Sequence, residues 1–346
     1  MEYRPLGRTG LDVGVIGLGT EHLEQSRETI EDVIHTAVDA GLNYIDILPI
    51  GDKFWDYFAP AIRPYRDKLT LAVEWGFAFV NDMEKAQRRF EGDLARVNDY
   101  AEVVILRVVD TEEQWNGWVQ EAAERLMRYK EQGRIGYLGM SGHTTSTAIK
   151  AINSGLIDVL MFPINMLGHA EEENRSLYQA CVDQNVGLVA MKPYQGGTLL
   201  FAEGKPSGIT PAQCLAYVLS LPVSTTVPGA KNGEELRATL HYLEATDEER
   251  DYRSVIANIH DYLAGQCVYC HHCLPCPQDI EIGWVIWYVD QTRGGITDQL
   301  MADYSTFRVK ASECTECGEC IERCPFEVDI IGKMHEAIEI FEVGGD

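Results

Sequence analysis

A chain of 346 residues has room for one large domain and a small one, or for two to three domains of average size. Its 45% hydrophobic and 24% charged content is that of a globular protein able to bury a sizeable core. The formal charge of −25, from 29 basic and 54 acidic residues, excludes the nucleic-acid-binding classes, which need a basic surface, and no apolar run reaches the ~18 residues of a membrane span.

In chain order, residues 13–19 read as a buried strand. Residues 27–41 read as a helix, with Ile30, Val33, Ile34, Ala37 and Val38 at helical spacing. Further strands are expected at 43–48, 69–75, 103–106, 137–141, 159–164, 187–192 and 224–227. Helices are expected near 52–63, 82–97, 112–132, 145–154, 170–184, 211–220 and 233–244, the one at 112–132 being stopped by Gly133. The strands are apolar runs without polar alternation, which suits a parallel sheet buried on both faces. Eight strand–helix units over roughly 240 residues predict an α/β fold of the (β/α)8, or TIM-barrel, type. A doubly wound sheet is the alternative, but no G-x-G-x-x-G follows the first strand, and Gly17-Leu18-Gly19 does not supply one.

From about 246 the pattern changes. An acidic helical connector at 247–263 leads into two cysteine runs, Cys267-x2-Cys270-x2-Cys273-x2-Cys276-Pro277 and Cys314-x2-Cys317-x2-Cys320-x3-Cys324-Pro325, which hold eight of the ten cysteines. The second run has the C-x2-C-x2-C-x3-C-P spacing of bacterial ferredoxins, and the first is one residue shorter before its last cysteine. Two-residue gaps let a short loop offer three sulfurs to one cubane, while the fourth cysteine of each run reaches the neighbouring cluster. Two [4Fe–4S] clusters are therefore expected, one on Cys267, Cys270, Cys273 and Cys324, the other on Cys314, Cys317, Cys320 and Cys276. A pair of structural zinc sites is the competing reading, although zinc sites usually part their C-x2-C pairs with a long spacer. The expected division is a barrel at 1–245 and a small ferredoxin-like iron–sulfur domain at 246–346. Its aromatic residues Trp284, Trp287, Tyr288 and Tyr304 are expected to pack over the clusters. His271 and His272, inside the first run, are candidates for tuning a cluster potential or plain loop residues. Cys181 and Cys214, on helices, read as small buried apolar residues. Thiols kept for clusters, and an N-terminus (Met1-Glu2-Tyr3-Arg4-Pro5) without the layout of a secretory signal, lead to a cytoplasmic expectation.

Several segments of the predicted barrel carry a resemblance. Tyr3-Arg4-Pro5-Leu6-Gly7-Arg8-Thr9-Gly10 with Gly17-Leu18-Gly19-Thr20 resembles the opening of an aldo-keto reductase. So do Ala40-Gly41-Leu42-Asn43-Tyr44-Ile45-Asp46, Gly133-Arg134-Ile135-Gly136-Tyr137-Leu138-Gly139-Met140-Ser141, Val189-Ala190-Met191-Lys192-Pro193 and Val227-Pro228-Gly229-Ala230-Lys231-Asn232. With the cysteine runs, the chain is similar to the ferredoxin-tailed branch of that family. The resemblance implies carbonyl reduction by a nicotinamide cofactor at the C-terminal face of the barrel, with an Asp, Tyr, Lys and His catalytic set.

Position by position, that set is altered. Asp46 matches the family Asp, whereas Ile50 before Gly51 stands at the Tyr position, Glu74 at the Lys position and Arg107 at the His position. A carbonyl that receives hydride needs a general acid, which Ile50 is not. Glu74 would also raise the pKa of any neighbouring phenol. Tyr44, Tyr57 and His22 are possible replacement acids with ordinary structural roles as the alternative. Asp46, Glu74 and Arg107 are the candidate catalytic residues, or else an ion-paired cluster at the barrel mouth, since a buried Arg needs carboxylate partners. Of the family's cofactor contacts, Ser141 remains, followed by Gly142, and Met161 stands at the Gln position. The phosphate-binding positions resemble Gly229 and Glu235, which leaves Lys231 and Asn232 as the candidate nucleotide contacts beside Ser141. A carboxylate facing a phosphate is repulsive, so NADPH held in the family manner is disfavoured; a nicotinamide nucleotide of another kind or a flavin stays open.

The expected function is an iron–sulfur oxidoreductase in which two [4Fe–4S] clusters move single electrons to or from a small-molecule site in the barrel mouth or a redox partner protein. The acidic surface would suit a basic partner. The alternative is an electron-transfer or accessory subunit whose barrel is a non-catalytic scaffold. An NAD(P)H-dependent carbonyl reductase is disfavoured by Ile50, Glu74 and Arg107.

Overall fold

The apolar run at 13–19 serves two structures rather than one. Asp12–Gly14 pairs antiparallel with Tyr3–Pro5 as a hairpin, and only Leu18–Gly19 enters the main sheet. Both pieces bury their residues, so nothing in the hydropathy marks the break at Val15. The hairpin drives Leu6 and Val13 into the core, each fully buried. Gly7 makes this possible: its φ is +53°, and a Cβ there would stand 2.2 Å from the Gly187 nitrogen.

This computed structural model describes residues 1–49, 53–170, 172–202, 205–269 and 271–343; Ile50, Gly51 and Cys270 lie outside them. The chain forms two units, Met1–Gly196 with Thr210–Tyr252, and Gly197–Ile209 with Arg253–Asp346. In the first, eight strands form one parallel sheet: β1 (Leu18–Gly19), β2 (Tyr44–Ile47), β3 (Thr70–Trp75), β4 (Ala101–Leu106), β5 (Ile135–Ser141), β6 (Val159–Pro163), β7 (Gly187–Met191) and β8 (Thr225–Val227). Each pairs with its neighbours in sequence. Parallel bridges Ile16–Thr226 and Gly19–Gly229 bring β8 back to β1 and close the barrel. The eight predicted strands are present, and the helices lie between them as expected. One differs: the segment at 112–132 is two helices, Glu112–Asn116 and Trp118–Glu131, because Gly117 has ψ −112° and breaks the turn.

Alternate residues of a strand face one side of a sheet. The inward set (Tyr44, Ala72, Val103, Ile105, Val159, Met161, Val189 and Val227) packs with Leu6 and Val13 as the apolar filling of the barrel. Two residues further along three of these strands come Asp46, Glu74 and Arg107. The same periodicity that fills the barrel with apolar side chains thus places charges at its C-terminal mouth.

The second unit is a set of short helices around the cysteine runs: Ile282–Gln291, Asp298–Ser305, Glu319–Arg323 and Ile330–Ala337, with Arg253–Ala257 and Ile259–Leu263 before them. Its aromatic residues pack chiefly on one another. Tyr304 stacks on Phe341 at 4.3 Å, and Tyr288 meets Trp287, Tyr304, Phe307 and Phe341 edge-on. Trp284 is half exposed. Among the described residues no helix is long and apolar enough to cross a membrane.

Candidate functional site

The cysteine runs repeat one backbone conformation. The residue before the second cysteine and the residue after it both have positive φ, at Tyr269 and His271 in the first run and Glu316 and Gly318 in the second. Such left-handed residues curl a loop tightly enough for closely spaced side chains to face one centre. The runs are also tied together. Arg323 donates from Nη2 to the Pro275 carbonyl at 2.7 Å, and the Gly265 N–H donates to the Phe326 carbonyl at 2.6 Å.

Two thiol-lined cavities result. One, of about 390 Å³, is lined by Cys276, Cys314, Cys317 and Cys320 with apolar cover from Ile282 and Met334. The other, of about 330 Å³, is lined by Cys267, Cys273 and Cys324, with Ile286, Phe326 and Val328. In the first, Cys276 of one run lies with Cys314, Cys317 and Cys320 of the other; in the second, Cys324 lies with Cys267 and Cys273. Cys270, assigned to the second cavity, lies outside the described residues. The thiols surround a space; among the described residues no three His, Cys, Asp or Glu side chains converge on one ion-sized position. The short, repeated C-x2-C-x2-C spacing of both runs fits a multi-iron cluster better than single zinc ions. His271 and His272 both line the second cavity. Tyr269 fixes its loop by donating to Asp290 at 2.8 Å. Helix Ile282–Gln291 offers the cavity Gly283 and Ile286, and the aromatic residues that line it are Tyr269 and Phe326 rather than Trp284, Trp287, Tyr288 or Tyr304.

At the barrel mouth, Arg107 pairs with Glu74 at 3.2 Å and approaches Glu21 at 3.9 Å. Asp46 Oδ1 is buried and accepts no hydrogen bond from the described residues. Burial pushes the Asp46 carboxyl up to about 7; Arg107 opposes the rise and Glu21 adds to it. The Glu74 carboxyl is also pushed well up, by burial first and then by Asp46, against Arg107 and Arg89. Burial thus favours the protonated form of both carboxyl groups, against the pull of Arg107 and Arg89.

Tyr44 is wholly buried in the barrel filling, and burial raises its phenol well above the ordinary value. The Tyr57 ring lies under the Arg27 guanidinium at 5.2 Å. His22 lies over Gly229, where a Cβ would meet its ring at 3.0 Å. Burial pushes the Cys181 and Cys214 thiols up to about 12, as suits inert packing residues.

The three nucleotide-contact candidates have internal roles. Ser141 Oγ accepts the Val108 N–H at 3.1 Å, and the Ser141 carbonyl accepts Val109 N–H at 2.8 Å. Val108 has φ +56°, a costly value for a β-branched residue. Ser141 thus anchors the strained turn that follows Arg107. Ser141→Ala should cost roughly 1 kcal/mol in chemical denaturation, because it strips the acceptor from a partly buried N–H. Asn232 caps helix Gly233–Leu240, accepting from Glu234 and Glu235 N–H. Glu235 accepts the Lys231 N–H at 2.8 Å, which puts a carboxylate at that turn. Met161 lies in the barrel filling, 2% exposed.

A second polar constellation was absent from the expectations. Lys192 Nζ stands 3.1 Å from His143 Nε2, and His143 Nδ1 stands 3.0 Å from Asp110 Oδ2. All three residues follow C-terminal ends of barrel strands (β7, β5 and β4), where a barrel's functional side chains are found. That positional rule was the available signal; no residue spacing marks the trio.

Two family profiles match the chain, the aldo/keto reductase family over residues 11–210 and a 4Fe-4S dicluster domain over residues 266–329. The uncharacterized oxidoreductase YqkF of Bacillus subtilis (strain 168) is 23% identical over 211 residues, covering 58% of this chain and 67% of its own length. Uncharacterized oxidoreductase YrpG of the same organism is 26% identical over 230 residues, covering 58% and 68%. Among solved structures, the holo form of aldo-keto reductase AKR11C1 from Bacillus halodurans has a TM-score of 0.60 at 19% identity, covering 74% of this chain and 96% of that one. An aldo-keto reductase from Klebsiella pneumoniae in complex with NADPH has a TM-score of 0.55 at 18% identity, covering 75% and 95%. The structural likeness is one of fold, and the profile match over most of the barrel goes further: the chain belongs to the aldo/keto reductase family, as an oxidoreductase with a 4Fe-4S dicluster domain following its barrel.

Proposed function

We propose that the chain is an iron–sulfur oxidoreductase whose reaction site is the Asp46–Glu74–Arg107 cluster, with the barrel at 1–245 and the dicluster domain at 246–346. The observation that carries this reading is the buried carboxyl pair at the barrel mouth, with Glu74 at 3.2 Å from Arg107 and Asp46 Oδ1 accepting no hydrogen bond from the described residues. When bound, two [4Fe–4S] clusters supply one-electron transfer, with Cys267, Cys270, Cys273 and Cys324 holding one and Cys314, Cys317, Cys320 and Cys276 the other. A small-molecule substrate that gains electrons becomes more basic. A proton on the Asp46 or Glu74 carboxyl can neutralise it, and Arg107 faces the negative charge left behind. This assigns to a carboxyl pair the acid role that Ile50 cannot fill.

The family's nicotinamide site is a poor match. The K. pneumoniae relative was solved with NADPH, but here Asn232 Oδ1 is a helix cap, Glu235 presents a carboxylate at the Lys231 turn, and Ser141 Oγ holds Val108. No step is therefore assigned to a nicotinamide. Electrons would instead be exchanged with a redox partner protein, for which the charge of −25 suits a basic face.

The test is anaerobic purification with iron and sulfide analysis, then reduction of a panel of small carbonyl compounds with a reduced viologen as electron donor. Asp46→Asn and Glu74→Gln should each lower turnover on the order of 10²–10⁴-fold. Ordinary rates of NADPH oxidation with a simple aldehyde, unaffected by loss of the clusters, would overturn the reading. Absence of turnover alone, with a redox protein co-purifying, would instead support the accessory role.

A further inference from the structure

We propose that Lys192 is an activated amine that condenses with a small uncharged aldehyde or ketone at the barrel mouth, with His143 as its general base and Asp110 orienting the imidazole. The geometry has the three parts of an activated nucleophile: the nucleophile on a base at 3.1 Å, and the base on an orienting carboxylate at 3.0 Å. Asp110 is itself well fixed. It accepts the His143 backbone N–H, and its own N–H donates to Gln114 Oε1 at 2.7 Å. An Asp110 carboxylate on Nδ1 selects the tautomer that turns the Nε2 lone pair toward Lys192.

Lys192 is held in place by its backbone. Its φ is +54°, a strained value for a side chain of this kind. Asn165 Nδ2 donates to its carbonyl at 3.2 Å and to Gln195 Oε1 at 2.6 Å. Lys192 remains open to an incoming molecule, and His143 is 40% exposed. Packing around the amine nevertheless holds its pKa below the ordinary lysine value, against the opposing charges of Glu21 and Asp110 and with help from Arg107. Burial would raise the Asp110 carboxyl, but hydrogen bonds and charge from His143 outweigh it and keep it ionised. The charged groups that act on Lys192 are Glu21 and Asp110 against Arg107, two carboxylates to one guanidinium, which disfavours an anionic carbonyl compound.

The step balances within these groups. Nε2 of His143 takes a proton from the Lys192 ammonium, and Nζ attacks the carbonyl carbon as the C=O π bond opens. The oxygen receives the proton back from the imidazolium, and its later departure as water leaves a C=N bond to Nζ. No electrons are exchanged, so trapping of this adduct is independent of the iron–sulfur reading.

The test is incubation of the holoprotein with a low concentration of benzaldehyde and cyanoborohydride, followed by peptide mass spectrometry. Lys192 should be alkylated on the order of 10²-fold faster than the exposed Lys68 and Lys85. His143→Gln and Asp110→Asn should each remove most of that advantage, and glyoxylate should label Lys192 more slowly than benzaldehyde. Labelling of Lys192 no faster than of Lys68 and Lys85 in the unaltered protein overturns the proposal, whatever the variants do. Preferential labelling that persists unchanged in a folded His143→Gln variant overturns the role of His143.

Discussion

Cys324→Ala should empty the cluster site built by the other cysteine run. Iron and sulfide should fall from about eight of each per chain to about four of each, leaving one [4Fe–4S] signal by EPR. The identity of the lost centre is the informative part. Cys324 lines the cavity of Cys267 and Cys273, not that of Cys314, Cys317 and Cys320. Adding Cys267→Ala to Cys324→Ala should therefore remove little further iron, whereas adding Cys314→Ala should remove almost all of it. If each run bound its own cluster, the two double variants would exchange behaviour. Cys276→Ala should mirror the result, and its loss should also loosen helix Ile330–Ala337, whose Ile330 and Met334 line that cavity.

The crossed arrangement is what the spacing leads one to expect, because thiolate clusters place strict demands on loop length, and the linings of the two cavities are compatible with it. The barrel was legible for a related reason: eight apolar runs alternating with amphipathic segments have few alternatives in a chain of this length. What periodicity missed was local. The run at 13–19 hides a hairpin because both of its halves are buried, and Gly117 breaks a helix whose apolar spacing continues through it. The charged mouth was half legible. Glu74 and Arg107 stood out as substitutions in a known pattern beside the retained Asp46, and their strand phase with Tyr44, Ala72 and Ile105 places all three at the mouth. Lys192 stood in a family-like segment without a role, and nothing linked it to His143 or Asp110. They lie in three separate loops, and only the closed sheet makes β4, β5 and β7 present them side by side.

Arg107→Met should be among the most destabilising single changes in the barrel, costing roughly 3–5 kcal/mol at neutral pH. Its cause is the pair it would leave behind, Glu74 with a side chain only 9% exposed and Asp46 with a buried Oδ1. The pH dependence gives the sign. Asp46 is raised from 3.8 to about 7, so between these values the folded chain holds a proton that the unfolded chain releases. Stability from that proton is fully present below the lower value and is lost as pH rises through the upper one. Arg107 now lowers both carboxyl pKa values; without it the window should widen upward and the fall should steepen. The variant's urea midpoint should thus approach that of the unaltered protein near about pH 5 and fall furthest behind near about pH 8. Asp46→Asn should do the reverse, flattening the profile and gaining at most about 4 kcal/mol at alkaline pH, the free-energy equivalent of the shift. A pH-independent loss in Arg107→Met would mean that the guanidinium is held for packing alone. Stability gained on removing Asp46, together with turnover lost, would identify the pair as a strained acid kept for chemistry.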